Sequence, residues 1–270
     1  MSCAAARGAI GAIGVVGALM LATSCSSAPA DRPALSSPTR TPVPSPTAPA
    51  GSRTVRFEAI DGVELDGRLF GSGRTGIVLS HMGNPGDSQA DWYGVAEVLA
   101  ERGYVVLTYD RRGVCPGGID GCSSGNDNYG NAWKDVVGAI RLLTRRGAAE
   151  VLVGGASIGA MASLYAAEQP GVEVAGVIWV AGLDFASGYL FERADVRRVA
   201  VPTLFISATR DPFGAAESAR RLHRWAISPT SLVLLRSREH GTDMLGDRAD
   251  PEVGDTLTRS IVQFVDRFAS

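Results

Sequence analysis

The residues best placed to do chemistry are Gly155-Ala156-Ser157-Ile158-Gly159, which fit the pattern G-x-S-x-G. The apolar run from Val151 reads as a buried strand, and the stretch from Ile158 onward reads as a helix, so Ser157 falls where the backbone reverses. A serine raised on so sharp a turn has strained backbone angles and close neighbours, which is why residues without bulk stand two before and two after it. The same turn aims the backbone N–H of Ile158 toward the place where an oxyanion would form. In a chain with 33 glycines the five residues alone carry little weight; the flanking strand and helix make them informative.

A serine hydroxyl is a poor nucleophile until a base takes its proton, and that base needs an orienting acid. The chain has only three histidines. His240 lies past the last strand, in Arg238-Glu-His-Gly-Thr-Asp-Met-Leu245, and is the candidate base. His223 sits in an arginine-rich helix and reads as a surface residue, while His81 ends the third strand. For the acid, Asp211 follows the strand Thr203 to Ser207 in Thr209-Arg-Asp-Pro-Phe213, and Asp184, after the preceding strand, is the alternative.

These side chains must be positioned by a regular framework, and the chain supplies one. Thr54 to Ile60 and Val63 to Phe70 alternate and are joined by Asp61-Gly62, a hairpin signal. Strands are expected at Gly76 to Ser80, Tyr104 to Tyr109, Glu150 to Gly154, Val174 to Val180, Thr203 to Ser207 and Ser231 to Leu235. Helices are expected at Trp92 to Arg102, Asn131 to Arg146, Ile158 to Glu168, Ala215 to Trp225 and Gly254 to Phe268. Strands alternating with helices imply right-handed crossovers and a mostly parallel sheet covered on both faces, the α/β class. Ligand sites in such sheets lie at the carboxyl ends of the strands, where Ser157 falls.

Ser157, Asp211 and His240 occur in the chain order of the α/β-hydrolases. From about Arg53 onward the chain resembles that fold family, close to its small dienelactone-hydrolase-like and serine-aminopeptidase-like members. The likeness rests on Ser80-His-Met-Gly-Asn-Pro-Gly-Asp87 with Trp92, Tyr109-Asp-Arg-Arg-Gly113, the G-x-S-x-G stretch, Asp211-Pro212 and His240-Gly241. The resemblance implies a Ser157–Asp211–His240 triad, with the loop after the third strand giving a second oxyanion N–H. Met82 stands where a glycine is commoner in that loop; Met82 is the first choice for the donor and Gly83 the next, with His81 fixing the loop. The implied reaction needs no metal or organic cofactor. Lids in this fold are usually inserted after the strand ending at Val180, and here Leu183 to Arg198 leaves room for only a short excursion, so an open site is expected. Leu183, Phe185, Tyr189, Leu190 and Phe191 either line an acyl pocket or pack a short helix onto the core.

The remaining features concern location and partners. Residues 1–24 carry one arginine, then an apolar run from Ala9 to Ala22, the layout of a secretory leader and short for a membrane span. Leu21-Ala-Thr-Ser-Cys25 resembles a bacterial lipobox with Cys25 as the lipidated mature N-terminus; cleavage after Ala28-Pro-Ala30 is the rival. Residues 25–52 are rich in Ser, Pro, Thr and Ala and should form an extended tether to a domain spanning 53–270. In an exported protein Cys115 and Cys122 read as a disulfide closing a glycine-rich loop. Formal net charge is −2 and nothing points to nucleic acid, and the only membrane attachment expected is through the N-terminal lipid. The functions compatible with these residues are hydrolysis of small to medium acyl esters, amide hydrolysis or acyl transfer by the same triad, and a surface binding protein without catalysis.

Overall fold

Alternation of buried and exposed residues starts the fold. The computed structural model describes residues 49–115 and 122–269. The leader, Cys25 and the tether up to residue 48 lie outside them. β1 (Arg53–Glu58) and β2 (Glu64–Phe70) pair antiparallel, from Arg53 opposite Leu69 to Glu58 opposite Glu64. The connection is longer than a two-residue turn: Ala59 N–H bonds the Val63 carbonyl at 2.8 Å, and the Asp61 carboxylate reaches Arg112. β3 (Thr75–Ser80) is followed by α1 (Tyr93–Glu101), β4 (Val105–Tyr109), α2 (Ala132–Arg145), β5 (Glu150–Ala156), α3 (Ile158–Ala167) and β6 (Gly176–Val180). The excursion after β6 holds a two-stranded hairpin, β7 (Phe185–Ala186) and β8 (Tyr189–Leu190), and the short α4 (Arg193–Arg198). β9 (Thr203–Ala208), α5 (Ala215–Trp225), β10 (Thr230–Leu235) and α6 (Pro251–Phe268) complete the chain. The last helix begins before the expected Gly254 because Asp250 caps it, accepting from the Glu252 N–H, and Pro251 occupies its first turn.

Among the described residues, eight strands form one sheet in the order β1-β2-β4-β3-β5-β6-β9-β10, parallel from β4 to β10. Continuous apolar runs such as Thr75-Gly-Ile-Val-Leu-Ser80 and Gly176-Val-Ile-Trp-Val180 are buried throughout because helices cover both faces. α2, α3 and the Ala219 and Leu222 side of α5 pack into one apolar layer. α1 and α6 form the other, with Val95, Leu99, Leu257, Ile261 and Phe264 turned inward at helical spacing. The carboxyl ends of β3, β5, β9 and β10 lead into the loops bearing His81, Ser157, Asp211 and His240 respectively. No helix among the described residues is long and apolar enough to cross a membrane.

Candidate active site

Ser157 stands between β5 and α3 with φ 50° and ψ −115°, a conformation that non-glycine residues rarely adopt and that costs about 1–3 kcal/mol. Two bonds hold it there: its N–H donates to the Val180 carbonyl at 2.8 Å, and its carbonyl accepts from the Met161 N–H at 3.0 Å. The small flanking residues are required by the neighbouring strand. A Cβ on Gly159 would stand 2.7 Å from the Ser80 carbonyl carbon and 2.8 Å from the His81 oxygen, and one on Gly155 would meet the Ser80 oxygen and Gly159. Ser80 O is itself held by the Trp92 Nε1–H at 3.0 Å.

Asp211 and His240 come together from loops 29 positions apart. His240 Nδ1 lies 2.8 Å from Asp211 Oδ2, the imidazole 7% and the carboxylate 0% exposed. The other oxygen, Oδ1, accepts the backbone N–H groups of Phe213 at 2.9 Å and Ala215 at 3.4 Å, so the carboxylate is fixed in orientation. Gly241, with φ 55°, seats the histidine loop: a Cβ there would stand 2.7 Å from Met82 Sδ and 3.2 Å from the Ala156 Cβ, one residue from the serine. The structure thus joins Asp211 to His240 directly and brings their loop against the Ser157 turn. The Ser157 hydroxyl and His240 Nε2 make no hydrogen bond among the described residues.

The alternative acid is occupied elsewhere. Asp184 accepts from Ser218 Oγ at 2.8 Å and pairs with Arg221, both on α5. His223 is half-buried, with Nδ1 2.8 Å from Thr230 Oγ1. His81 is fully buried and bonded on both ring nitrogens. Its Nε2 accepts the Arg111 N–H at 3.0 Å, so Nδ1 carries the proton and donates to the Met82 carbonyl at 2.7 Å. Burial, and then the nearby Arg111 guanidinium, push its pKa well below the ordinary value, and it stays neutral.

The Met82 carbonyl also accepts from Arg111 Nη2 at 3.2 Å, and the Gly83 carbonyl accepts from Tyr129 Oη–H at 2.7 Å. The N–H groups of Met82, Gly83 and Ile158 have no backbone partner among the described residues. In a trans peptide the N–H points opposite to the carbonyl. The His81 carbonyl faces Gly159 of α3, which turns the Met82 N–H away from that helix. Gly83 packs beside Ile158, a Cβ on it lying 3.0 Å from Ile158 Cγ1.

Phe213 is a contributor that the reading of Asp211-Pro212 passes over. Its ring meets the His240 imidazole edge-on, centroids 4.6 Å apart, while 59% exposed. Of the apolar residues after β6, Tyr189 and Phe191 are buried against Trp179 and Tyr165, whereas Phe185 and Leu190 stand exposed as a cross-strand pair. The Cys115–Cys122 disulfide is formed. A cavity of about 700 Å³ is not lined by Ser157 or His240. It lies between α1 and α6, adjoins the site through Met82 and Thr242, and carries Asp87, Asp91 and Asp243 with no basic side chain. Desolvation, opposed by the Ser88 N–H and reinforced by Asp87 and Asp243, raises the Asp91 carboxyl to about 6.

Residues 76–224 match the family described as alpha/beta hydrolase fold. The chain belongs to the α/β-hydrolase fold family. Solved structures similar to it include an esterase, Pf2001, from Pyrococcus furiosus, at 16% identity over 81% of this chain and 92% of that one, TM-score 0.67. A dienelactone hydrolase from Anabaena variabilis is 21% identical over 81% of this chain and 99% of that one, TM-score 0.62. An acylaminoacyl peptidase from Pyrococcus horikoshii is 16% identical over 80% of this chain and 41% of that one, TM-score 0.61. At such identities these likenesses speak for the α/β-hydrolase fold alone. No curated protein matches the chain in sequence.

Proposed function

We propose that this α/β-hydrolase is an exported serine hydrolase that cleaves small to medium acyl esters, with Ser157 as nucleophile, His240 as base and Asp211 as orienting acid. The observation that carries the reading is the 2.8 Å His240–Asp211 bond seated beside a serine held at positive φ. His240 Nε2 takes the Ser157 proton as the oxygen attacks the acyl carbonyl, and Asp211 keeps Nδ1 protonated and stabilises the imidazolium. The Ile158 N–H and one loop N–H receive the oxyanion, each worth on the order of 3 kcal/mol in the barrier. The orientation of the two loop peptides favours Gly83, the second choice from sequence, over Met82. Collapse breaks the acyl–oxygen bond, and the alcohol departs with the proton from His240. Water then attacks the acyl-enzyme, His240 accepting its proton and returning it to Ser157.

The short excursion between β6 and α4 fits an open site, and Phe213 offers an apolar contact beside the base. Lipidation of Cys25, with the following tether as spacer, would place the domain at the outer face of the cell membrane. Amide hydrolysis by the same triad is the second reading. What favours it is the carboxylate-lined cavity adjoining the site past Thr242, suited to a cationic group on a substrate. The two are separated by assaying nitrophenyl esters of increasing acyl length beside aminoacyl nitroanilides, with Ser157→Ala as blank. Turnover of short esters with none of anilides is the expected result; anilide turnover alone gives the second reading, and no turnover of either sinks both.

A further inference from the structure

Arg111 is nearly fully buried, yet its Nε finds no hydrogen-bond partner among the described residues. A guanidinium kept inside the fold at that cost calls for a reason in what its other nitrogens hold. Nη2 donates to the Met82 carbonyl at 3.2 Å, the main-chain N–H donates to His81 Nε2, and Nη1 pairs with Asp127 at 2.6 Å. The guanidinium lies over the Tyr129 ring, 5.0 Å from its centroid, and the Tyr129 hydroxyl donates to the Gly83 carbonyl. Asp127 and Tyr129 lie on a segment anchored at its base by the Gly113 N–H to Ser124 carbonyl bond and the Cys115–Cys122 disulfide.

We infer that Arg111 and Tyr129 are positioning residues of the reaction: together they fix the carbonyls of Met82 and Gly83, and thereby aim the N–H between them at the developing oxyanion. The inference rests on the hydrolase reading and extends it. Two consecutive carbonyls are held, that of Met82 by Arg111 Nη2 beside His81 Nδ1 and that of Gly83 by the Tyr129 hydroxyl, which restrains the peptide between them. Two side chains that only filled space there would have no need to address one carbonyl each. Because the clamp acts on a group used in the transition state, it should govern kcat and not KM.

The test uses the full chain with Tyr129→Phe, which keeps the ring under Arg111 and deletes only the hydroxyl bond, and Arg111→Gln, which removes the clamp. Readouts are kcat and KM on a short nitrophenyl ester, the Kd of an alkyl boronic acid that forms a tetrahedral adduct on the nucleophile, and thermal midpoint. Tyr129→Phe should lower kcat roughly three- to tenfold, the worth of one neutral hydrogen bond. Arg111→Gln should lower it on the order of 100-fold. In both, KM should hold and boronate affinity should weaken by the same factor as kcat. Should Arg111→Gln fail to fold, Tyr129→Phe decides alone. Unchanged kcat in folded variants, or a kcat loss without loss of boronate affinity, overturns the inference while leaving the hydrolase reading intact. A wild-type chain that neither turns over ester nor binds boronate overturns both.

Discussion

The clearest perturbation of the site is Asp211→Asn. The Asp211 side chain is buried, with Oδ1 receiving two backbone N–H groups, those of Phe213 and Ala215, and Oδ2 facing His240 Nδ1. An asparagine there has one acceptor and one donor end. Turning its NH₂ toward the two backbone donors would set three donors against one another in a dry site, costing about 1–3 kcal/mol per unmet group. The amide therefore keeps its oxygen on the Phe213 and Ala215 N–H groups and presents NH₂ to His240. Nδ1 must then accept, the imidazole proton moves to Nε2, and the base has no lone pair for Ser157. The same tautomer fault in a Ser-His-Asp serine protease costs about 10⁴ in kcat, or roughly 5.5 kcal/mol in the barrier. Asp211→Asn should accordingly lower kcat on a short ester by about 10³- to 10⁴-fold with folding intact by circular dichroism. Asp184→Asn should leave kcat unchanged, since Asp184 is engaged by Ser218 and Arg221. A kcat for Asp211→Asn within about tenfold of wild type, or a larger loss in Asp184→Asn, refutes the reasoning.

Three further outcomes are expected. Gly159→Ala places a Cβ against the backbone of Ser80 and His81, so it should displace the start of α3 and lower stability by about 1–3 kcal/mol; a variant with wild-type thermal midpoint and activity contradicts this. Burial, opposed by bonds from Gln89, raises the Asp110 carboxyl to about 7, and burial likewise raises Glu168 to about 7. With folded values above the unfolded ones, the native state binds more protons between about pH 4 and 7, so stability should fall as pH rises through that window. Urea midpoints should be higher at pH 5 than at pH 8, and the reverse order would refute the assignment. Reducing the Cys115–Cys122 bond, whose partners are seven positions apart, should cost on the order of 2 kcal/mol, read as a lower thermal midpoint with reductant.

The turn at Ser157 and the loop of His240 were legible because their signals are local: small residues around Ser157 report the turn, and three histidines in the chain leave few choices. Which aspartate meets His240 was less so. Asp211 and Asp184 both follow strands, and only the packing of α5, which supplies Ser218 and Arg221 to one of them, separates the two. Helices and parallel strands followed from periodicity, yet the sheet order did not, since placing β4 between β2 and β3 depends on pairing at long range. Leu183, Phe185, Tyr189, Leu190 and Phe191 read equally as pocket lining or as a packed helix; Tyr189 and Phe191 are in the core, and the hairpin of β7 and β8 has too few residues to show a period. Arg111 lies within the fragment Tyr109-Asp-Arg-Arg-Gly113 and Tyr129 within none, and neither announces its bond to the loop after β3, made across 29 and 46 positions. A motif reports a neighbourhood along the chain, and the shell around the site is assembled across it.

The most direct test of the central claim is to expose the full chain to a fluorophosphonate, digest it, and locate the adduct by mass spectrometry. The account predicts one phosphonylated residue, Ser157, with labelling abolished in Ser157→Ala and slowed in His240→Ala. A folded chain that remains unlabelled, or an adduct on any other serine, contradicts it.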